Sequence, residues 1–286
     1  MADDLTRDAG SSTAPIGIIR PPGPNLLRLA DTLEACIARF LQARAGLLGT
    51  NPWEAPRKGW ALSNLMVRNI EAVLVMARTD EVLVSAAWTN ARCAFEQSVR
   101  IIWMLNTPDP YISESRWLGF LADAERFHRL VADSSEKEPD LPSTARHREI
   151  ENGMREFREG ASARLPEGYK VQKPPSFEAM LRALDGGGMY RYYREGSQYV
   201  HGSMWGTSVY RRNLGIHAQF GDFTDTWDWV LPLRLCWLSL RNAGEILVSR
   251  LGDGTASCDW DAVAQRVTVD FEALVLGRRP QTDSRA

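Results

Sequence analysis

Between Tyr190 and His201 the chain concentrates four tyrosines, two arginines and one histidine. At helical spacing Tyr190, Arg194, Ser197, Gln198 and His201 fall on one stripe, because positions i, i+4 and i+7 share a face. A histidine there serves as a general acid or base, and an arginine two turns away holds a phosphate and stabilises developing negative charge. The same two residues also have a purely structural use, with His201 capping a helix end and Arg194 pairing with Glu96 or another acid. Both readings stand at this level.

The element that must position this stripe from the other side is apolar nearly all round, running from Thr79-Asp80-Glu81 to about Asn106. Such a helix belongs at the centre of a bundle. Its charges Arg92, Glu96 and Arg100 stand four residues apart, hence on one stripe. A buried charge costs several kcal/mol unless paired, so they are expected to meet polar partners on another helix or to line a wet cleft.

Here a resemblance enters. Arg194, six residues, then His201 in an all-helical chain resembles the signature of the HEPN superfamily, Arg followed after four to six residues by His. The resemblance implies a metal-independent RNA endonuclease of toxin or defence type, working as a homodimer, with RNA as substrate and an antitoxin or other protein as partner. It assigns Arg194 to the scissile phosphate, His201 to proton transfer and Glu96 to orienting them. Tyr190, Ser197, Gln198 and Arg100 become substrate contacts, and no metal or cofactor is implied. The chain departs from the pattern at Glu195, where Asn, Asp or His is usual, and it is longer than a minimal four-helix member. Ala94-Phe95-Glu96 with Arg100, followed by Ser197 and Tyr199-Val200-His201-Gly202-Ser203, also resembles an uncharacterised bacterial all-helical family with no assigned activity. The alternative to an enzyme is a helical interaction or sensor protein in which Glu96, Arg194 and His201 form a structural polar network.

Rival motifs are weaker. Glu125 and His128 have the Glu-x-x-His spacing of di-iron bundles, but such sites need two copies and two further glutamates, and neither His147 nor His217 has an acid three residues before it. Gly186-Gly187-Gly188 lacks the lysine of a phosphate-binding loop and a preceding strand, and reads as a break between helices. Cys36, Cys93, Cys236 and Cys258 are far apart, three of them in apolar surroundings, with neither disulfide nor zinc spacing.

Composition bounds the rest. The 286 residues are 44% hydrophobic and include ten tryptophans, enough for a substantial core. A net charge of −2 gives no global field for a polyanion, so nucleic-acid contact must be local. Lys58, Lys137, Lys170 and Lys173 are the only lysines, and the many arginines are scattered rather than clustered. The most apolar stretches are interrupted by Arg92, Glu96, Arg100 and Arg234, so no membrane span is expected, and the N-terminus lacks a secretory pattern, so a cytoplasmic location is expected.

The pattern predicts an all-α fold, a multi-helix antiparallel bundle of about eight or nine helices. Residues 1–24 read as a disordered arm, 25–276 as one helical domain and 277–286 as a disordered tail. The helices fall at 25–48, 60–76, 79–106, 111–133, 144–163, 176–184, 189–201, 225–251 and 259–276. Pro232 is expected to bend the eighth, and Asp259 to cap the ninth. Between them, Gly202 to Thr224 is one long irregular loop with a short hairpin around 209–219, and long ordered loops are often functional.

Overall fold

The computed structural model describes residues 20–135, 143–213, 217–252 and 256–277; of the expected arm 1–24 and tail 277–286, residues 1–19 and 278–286 lie outside them. Nine α-helices are formed among the described residues: α1 (Pro24–Ala43), α2 (Glu54–Thr79), α3 (Val84–Leu105), α4 (Pro110–Ser135), α5 (Ser143–Ser162), α6 (Phe177–Ala183), α7 (Tyr190–Val200), α8 (Val230–Leu251) and α9 (Asp261–Leu276). The fold is an all-α bundle. Among the described residues the one piece of sheet is a two-residue antiparallel pairing of β1 (Arg211–Arg212) with β2 (Gln219–Phe220), inside the loop where a hairpin is expected.

The core forms where α2, α3 and α8 pack on one another. Ala87, Ala91, Ala94 and Ile101 of α3 are fully buried, as are Val73 and Ala77 of α2 and Leu233, Ala243 and Leu247 of α8. Small residues let the axes approach: a Cβ on Gly59 would lie 2.8 Å from a Leu105 methyl, and one on Gly244 3.1 Å from the Phe40 ring. Helix α1 closes one side with Leu26, Leu29, Leu33 and Phe40, and α9 lies against it, where buried Asp270 accepts a 2.6 Å hydrogen bond from Thr32. Helices α4 and α5 form a hairpin that packs mainly on itself. It is tied by the Arg158–Glu125 ion pair at 2.8 Å and by the Nδ1 atoms of His128 and His147, 2.8 Å apart.

The helix starts follow their local chemistry, with four departures from expectation. Helix α2 begins at Glu54 rather than at Trp60, so that Pro56 lies in its first turn, where a proline is tolerated. Ser176 caps α6 by accepting from the Ala179 N–H, as its position predicts. Asp80 caps a 3-10 turn (Glu81–Leu83) rather than α3 itself, which begins only at Val84. Pro232 is not in the interior of α8: the preceding 3-10 turn (Thr226–Trp229), closed by a capping box of Asp225 and Asp228, delays the helix to Val230. The proline then falls in the first turn, where its missing N–H has no intrahelical partner to lose. Asp259 does not cap α9. Its backbone is left-handed, with φ 49°, and its carboxylate pairs with Arg39 at 2.6 Å, so the helix starts at Asp261 without a side-chain cap.

The chain is anchored just before α1. The Arg20 backbone N–H donates to Asp80 at 2.9 Å, and its guanidinium reaches the carbonyl of Asp222 at 3.2 Å and that of Thr224. Buried Glu81 accepts from the Gly23 N–H and the Thr226 hydroxyl, while its carbonyl accepts from the Trp229 indole. These bonds pin the end of the long loop against the start of α3.

Candidate functional site

Helix α7 is short, and α3 decides which way it faces. The Arg92 guanidinium lies 4.5 Å over the Tyr193 ring and donates to its hydroxyl at 2.8 Å. One turn on, Gly196 is buried, and a Cβ there would lie 3.0 Å from the Arg92 Cβ. A further turn on, Tyr199 stacks on Trp88 at 5.5 Å with the rings 9° from parallel. Tyr193, Gly196 and Tyr199 recur every three residues and define the packed face. Burial pushes the Tyr199 hydroxyl up to about 12, with Asp228, Glu195 and Tyr210 adding in the same direction.

The stripe of Arg194 and His201 therefore lies on the opposite side of α7, at about 100° per residue from Tyr193. Both residues are exposed. Among the described residues neither side chain has a hydrogen-bond or ion-pair partner. His201 holds the helix end through its backbone, donating to the Ser197 carbonyl at 3.0 Å, and Gly202 follows with a left-handed φ of 59°. Among the other stripe residues, Ser197 donates to the Tyr193 carbonyl at 2.8 Å and the Gln198 amide to the Arg194 carbonyl at 3.2 Å. Tyr190 stacks against Tyr193 with centroids 5.8 Å apart, at the margin of the core.

Glu96 is not brought to this stripe. Its carboxylate accepts from Arg100 at 2.6 Å and stands 3.9 Å from Arg92, all three on α3. The α3 charges thus meet α7 through Arg92 and Tyr193, one link removed from Arg194. Glu195 lies on neither the packed nor the outer face. One of its oxygens is buried without a partner, and burial holds its carboxyl above the usual carboxylate range, with nearby Arg191 opposing the shift.

The loop after His201 adds what the sequence reading did not single out. Val200, Met204, Trp205, Tyr210, Phe220 and Trp227 are all exposed large apolar side chains, Trp205 at 61% and Phe220 at 75%. The loop, which carries Met204, Trp205, Tyr210 and Phe220, is held at its described ends. A Cβ on Gly206 would sit 2.4 Å from the Gln198 carbonyl oxygen, the Tyr210 hydroxyl is 3.0 Å from the Ser85 hydroxyl, and Phe223 donates its N–H to the Val209 carbonyl at 2.7 Å. Arg211 lies 5.4 Å over the Phe220 ring. The signal in the sequence was four aromatic residues in a glycine-rich stretch without helical periodicity, where a core explanation is weakest.

The Glu125 and His128 motif does not gather ligands. Glu125 is engaged by Arg158, and His128 faces His147. Among the described residues no group of three His, Cys, Asp or Glu is placed to hold a metal ion. The four cysteines are free, and burial pushes the thiols of Cys36 to about 11 and Cys258 to about 12. No described helix is long and apolar enough to cross a membrane.

Fold and site together define an all-helical protein whose central helix carries a short tyrosine-rich helix on its flank. The profile described as "Family of unknown function (DUF5677)" matches residues 61–216, more than half of the chain, and the chain belongs to that family. The matched span runs from α2 through α7 to the hairpin loop and so contains Glu96, Arg194 and His201. No curated protein and no solved structure matches the chain.

Proposed function

We propose that the outer face of α7 and the loop that follows it form an RNA-cleaving surface of HEPN-like type, with Arg194 and His201 as its reacting groups. One observation carries the reading. The guanidinium and the imidazole stand on one exposed stripe, without partners among the described residues, beside a held loop of exposed aromatic side chains. An exposed arginine and histidine without partners among the described residues contribute little to folding there, and unpaired bases stack on exposed aromatic rings at a gain of about 1–3 kcal/mol each. Trp205 and Phe220 offer such rings, and Arg211 beside Phe220 offers a phosphate contact.

The chemistry follows from the two side chains. His201 takes the proton of a ribose 2′-hydroxyl, and the 2′-oxygen attacks the adjacent phosphorus. The bond to the 5′-oxygen breaks, the imidazolium returns a proton to that leaving oxygen, and a 2′,3′-cyclic phosphate and a 5′-hydroxyl result. Arg194 binds the non-bridging oxygens and stabilises the charge that grows on them. Two copies side by side would give one imidazole as base and a second as acid, which is the role a homodimer would play, and a protein antitoxin would act by covering the same face. Glu96 enters only as the anchor of the α3 charges that hold Tyr193.

The test is incubation of purified protein with single-stranded RNA in excess EDTA, with products separated on a denaturing gel. Cleavage that leaves cyclic phosphate ends, and that falls at least 100-fold in His201→Ala and Arg194→Ala, supports the reading. Binding without cleavage would reduce the protein to an RNA-binding module. The alternative of a structural network among Glu96, Arg194 and His201 predicts bonds between them, and the bonds made by Glu96 go to α3 instead.

A further inference from the structure

Helix α8 lacks one neighbour. From Val230 to Ala243 it is buried at every position except Leu231, Arg234, Leu238, Arg241 and Asn242. The unburied positions 231, 234, 238 and 241 advance by three, four and three residues, the spacing of a seam that receives another helix. Three depressions of about 250, 630 and 930 Å³ lie along this stripe, and Leu238 lines all of them. Arg234 is shared by the first two and Arg241 by the last two, so they run together as one groove. Val267, Phe271 and Val275 of α9 form one wall. Leu184 and Met189, at the end of α6 and before α7, form the other, with Phe95 and Val99 of α3 deeper in.

The floor is apolar, but its two cations are uncommitted. Among the described residues neither Arg234 nor Arg241 has a hydrogen bond or ion pair. Of the acids that line the far depression, Glu245 already accepts from the Cys258 N–H and the Ser257 hydroxyl, Asp259 is taken by Arg39, and Asp261 bonds neither arginine. Glu272 on the α9 rim lines the middle depression and bonds neither arginine. From Leu231 to Glu245 the groove extends about 21 Å, four turns of helix, which is longer than a single small ligand needs.

We propose that this groove is the docking site for one amphipathic helix of a partner protein, carrying leucine-like residues and acids in alternating seam positions. The apolar residues fill the gaps around Leu231 and Leu238, and the acids pair with Arg234 and Arg241. A second copy of the chain is a poor occupant. Two such stripes meeting about a twofold axis near Leu238 would set Arg234 against Arg241 of the other copy, and like charges at a contact cost affinity. The proposal is independent of Arg194 and His201. Its main walls and floor, α8 and α9, lie beyond the family-matched residues 61–216.

The experiment uses the full chain and two fluorescein-labelled synthetic helical peptides of 21 residues, one with leucine and glutamate alternating at its seam positions and one with lysine in place of glutamate. Fluorescence anisotropy is expected to show micromolar binding of the acidic peptide and at least tenfold weaker binding of the basic one. The double variant R234E/R241E, altered at two exposed positions, is expected to reverse that order while keeping its helical circular dichroism. Equal binding of both peptides by both proteins would reduce the groove to a non-specific apolar surface and overturn the proposal. So would sedimentation showing a dimer that R234E/R241E dissolves, since the occupant would then be a second copy. A variant lacking residues 1–19 that bound the acidic peptide tenfold more tightly would overturn it as well, by making the chain's own N-terminus the occupant.

Discussion

The Arg92 guanidinium is held both over the ring of Tyr193 and against its hydroxyl, 2.8 Å away, and this pair turns the next residue, Arg194, out to solvent. Tyr193 also packs on Phe177, centroids 4.2 Å apart, so one side chain joins α3, α6 and α7. Removing it should free α7 and leave Arg92 without its acceptor. Tyr193→Ala is expected to cost about 2–4 kcal/mol in urea unfolding, whereas Tyr193→Phe, which keeps the ring and loses only the bond, is expected to cost about 1 kcal/mol. Equal costs for the two would place the stabilisation in the hydroxyl rather than in the ring.

Arg194 and His201 should behave in the opposite way. Neither side chain is buried or bonded among the described residues, so Arg194→Ala and His201→Ala are expected to shift stability by no more than about 0.5 kcal/mol. A structural network would make Arg194→Ala strongly destabilising, because a buried acid would be stranded. Chemical unfolding of the two variants therefore separates the readings without any assay of activity.

Much of this architecture was legible in the chain. Periodic leucines place α1, the short loop between Asn106 and Pro110 separates α3 from α4, and Ser176 marks the start of α6, because each is a local signal. The departures have two sources, a tertiary one at Asp259 and a local one at Pro232. Asp259 looks like a cap but is recruited by Arg39 across the fold, and Pro232 looks like a kink but falls in a first turn set by Asp225 and Asp228. The facing of α7 was half legible. Gly196 inside a helical pattern signals a close approach, yet nothing local says that Arg92 is what approaches. Exposure of Trp205 and Phe220 left one trace, aromatic residues in a glycine-rich stretch without helical periodicity, and that trace does not say which ring is covered and which is bare.

Gly206 tests how firmly that loop is held. A Cβ there would meet backbone, the Gln198 carbonyl oxygen at 2.4 Å and its carbon at 2.8 Å, and backbone cannot swing aside as a side-chain tip can. Gly206→Ala should lift the loop from the end of α7 at a cost of about 1–3 kcal/mol. Limited proteolysis should show new nicks between residues 202 and 224, with a change in the near-ultraviolet dichroism of the nearby tryptophans. Unchanged proteolysis would mean that the loop does not depend on this contact.

The α4–α5 hairpin should respond to pH through His128, which faces His147. Their Nδ1 atoms lie 2.8 Å apart, so the bond between them needs one nitrogen protonated and the other bare. Burial, and then the charge of His147, hold His128 below the ordinary histidine value. An unfolded chain therefore binds protons here at a pH where the folded one does not, and stability rises with pH across that interval. The contribution is whole above the unfolded value of about 6.5 and is lost as pH falls through it toward the depressed folded value. Urea midpoints at pH 7.5 are thus expected to exceed those at pH 5.5, and His128→Gln is expected to flatten the difference. Circular dichroism during the same titration should report loss at the hairpin before the core, because α4 and α5 pack mainly on each other. An acid-independent midpoint in the native chain, or an unchanged slope in His128→Gln, would assign the acid sensitivity to other groups.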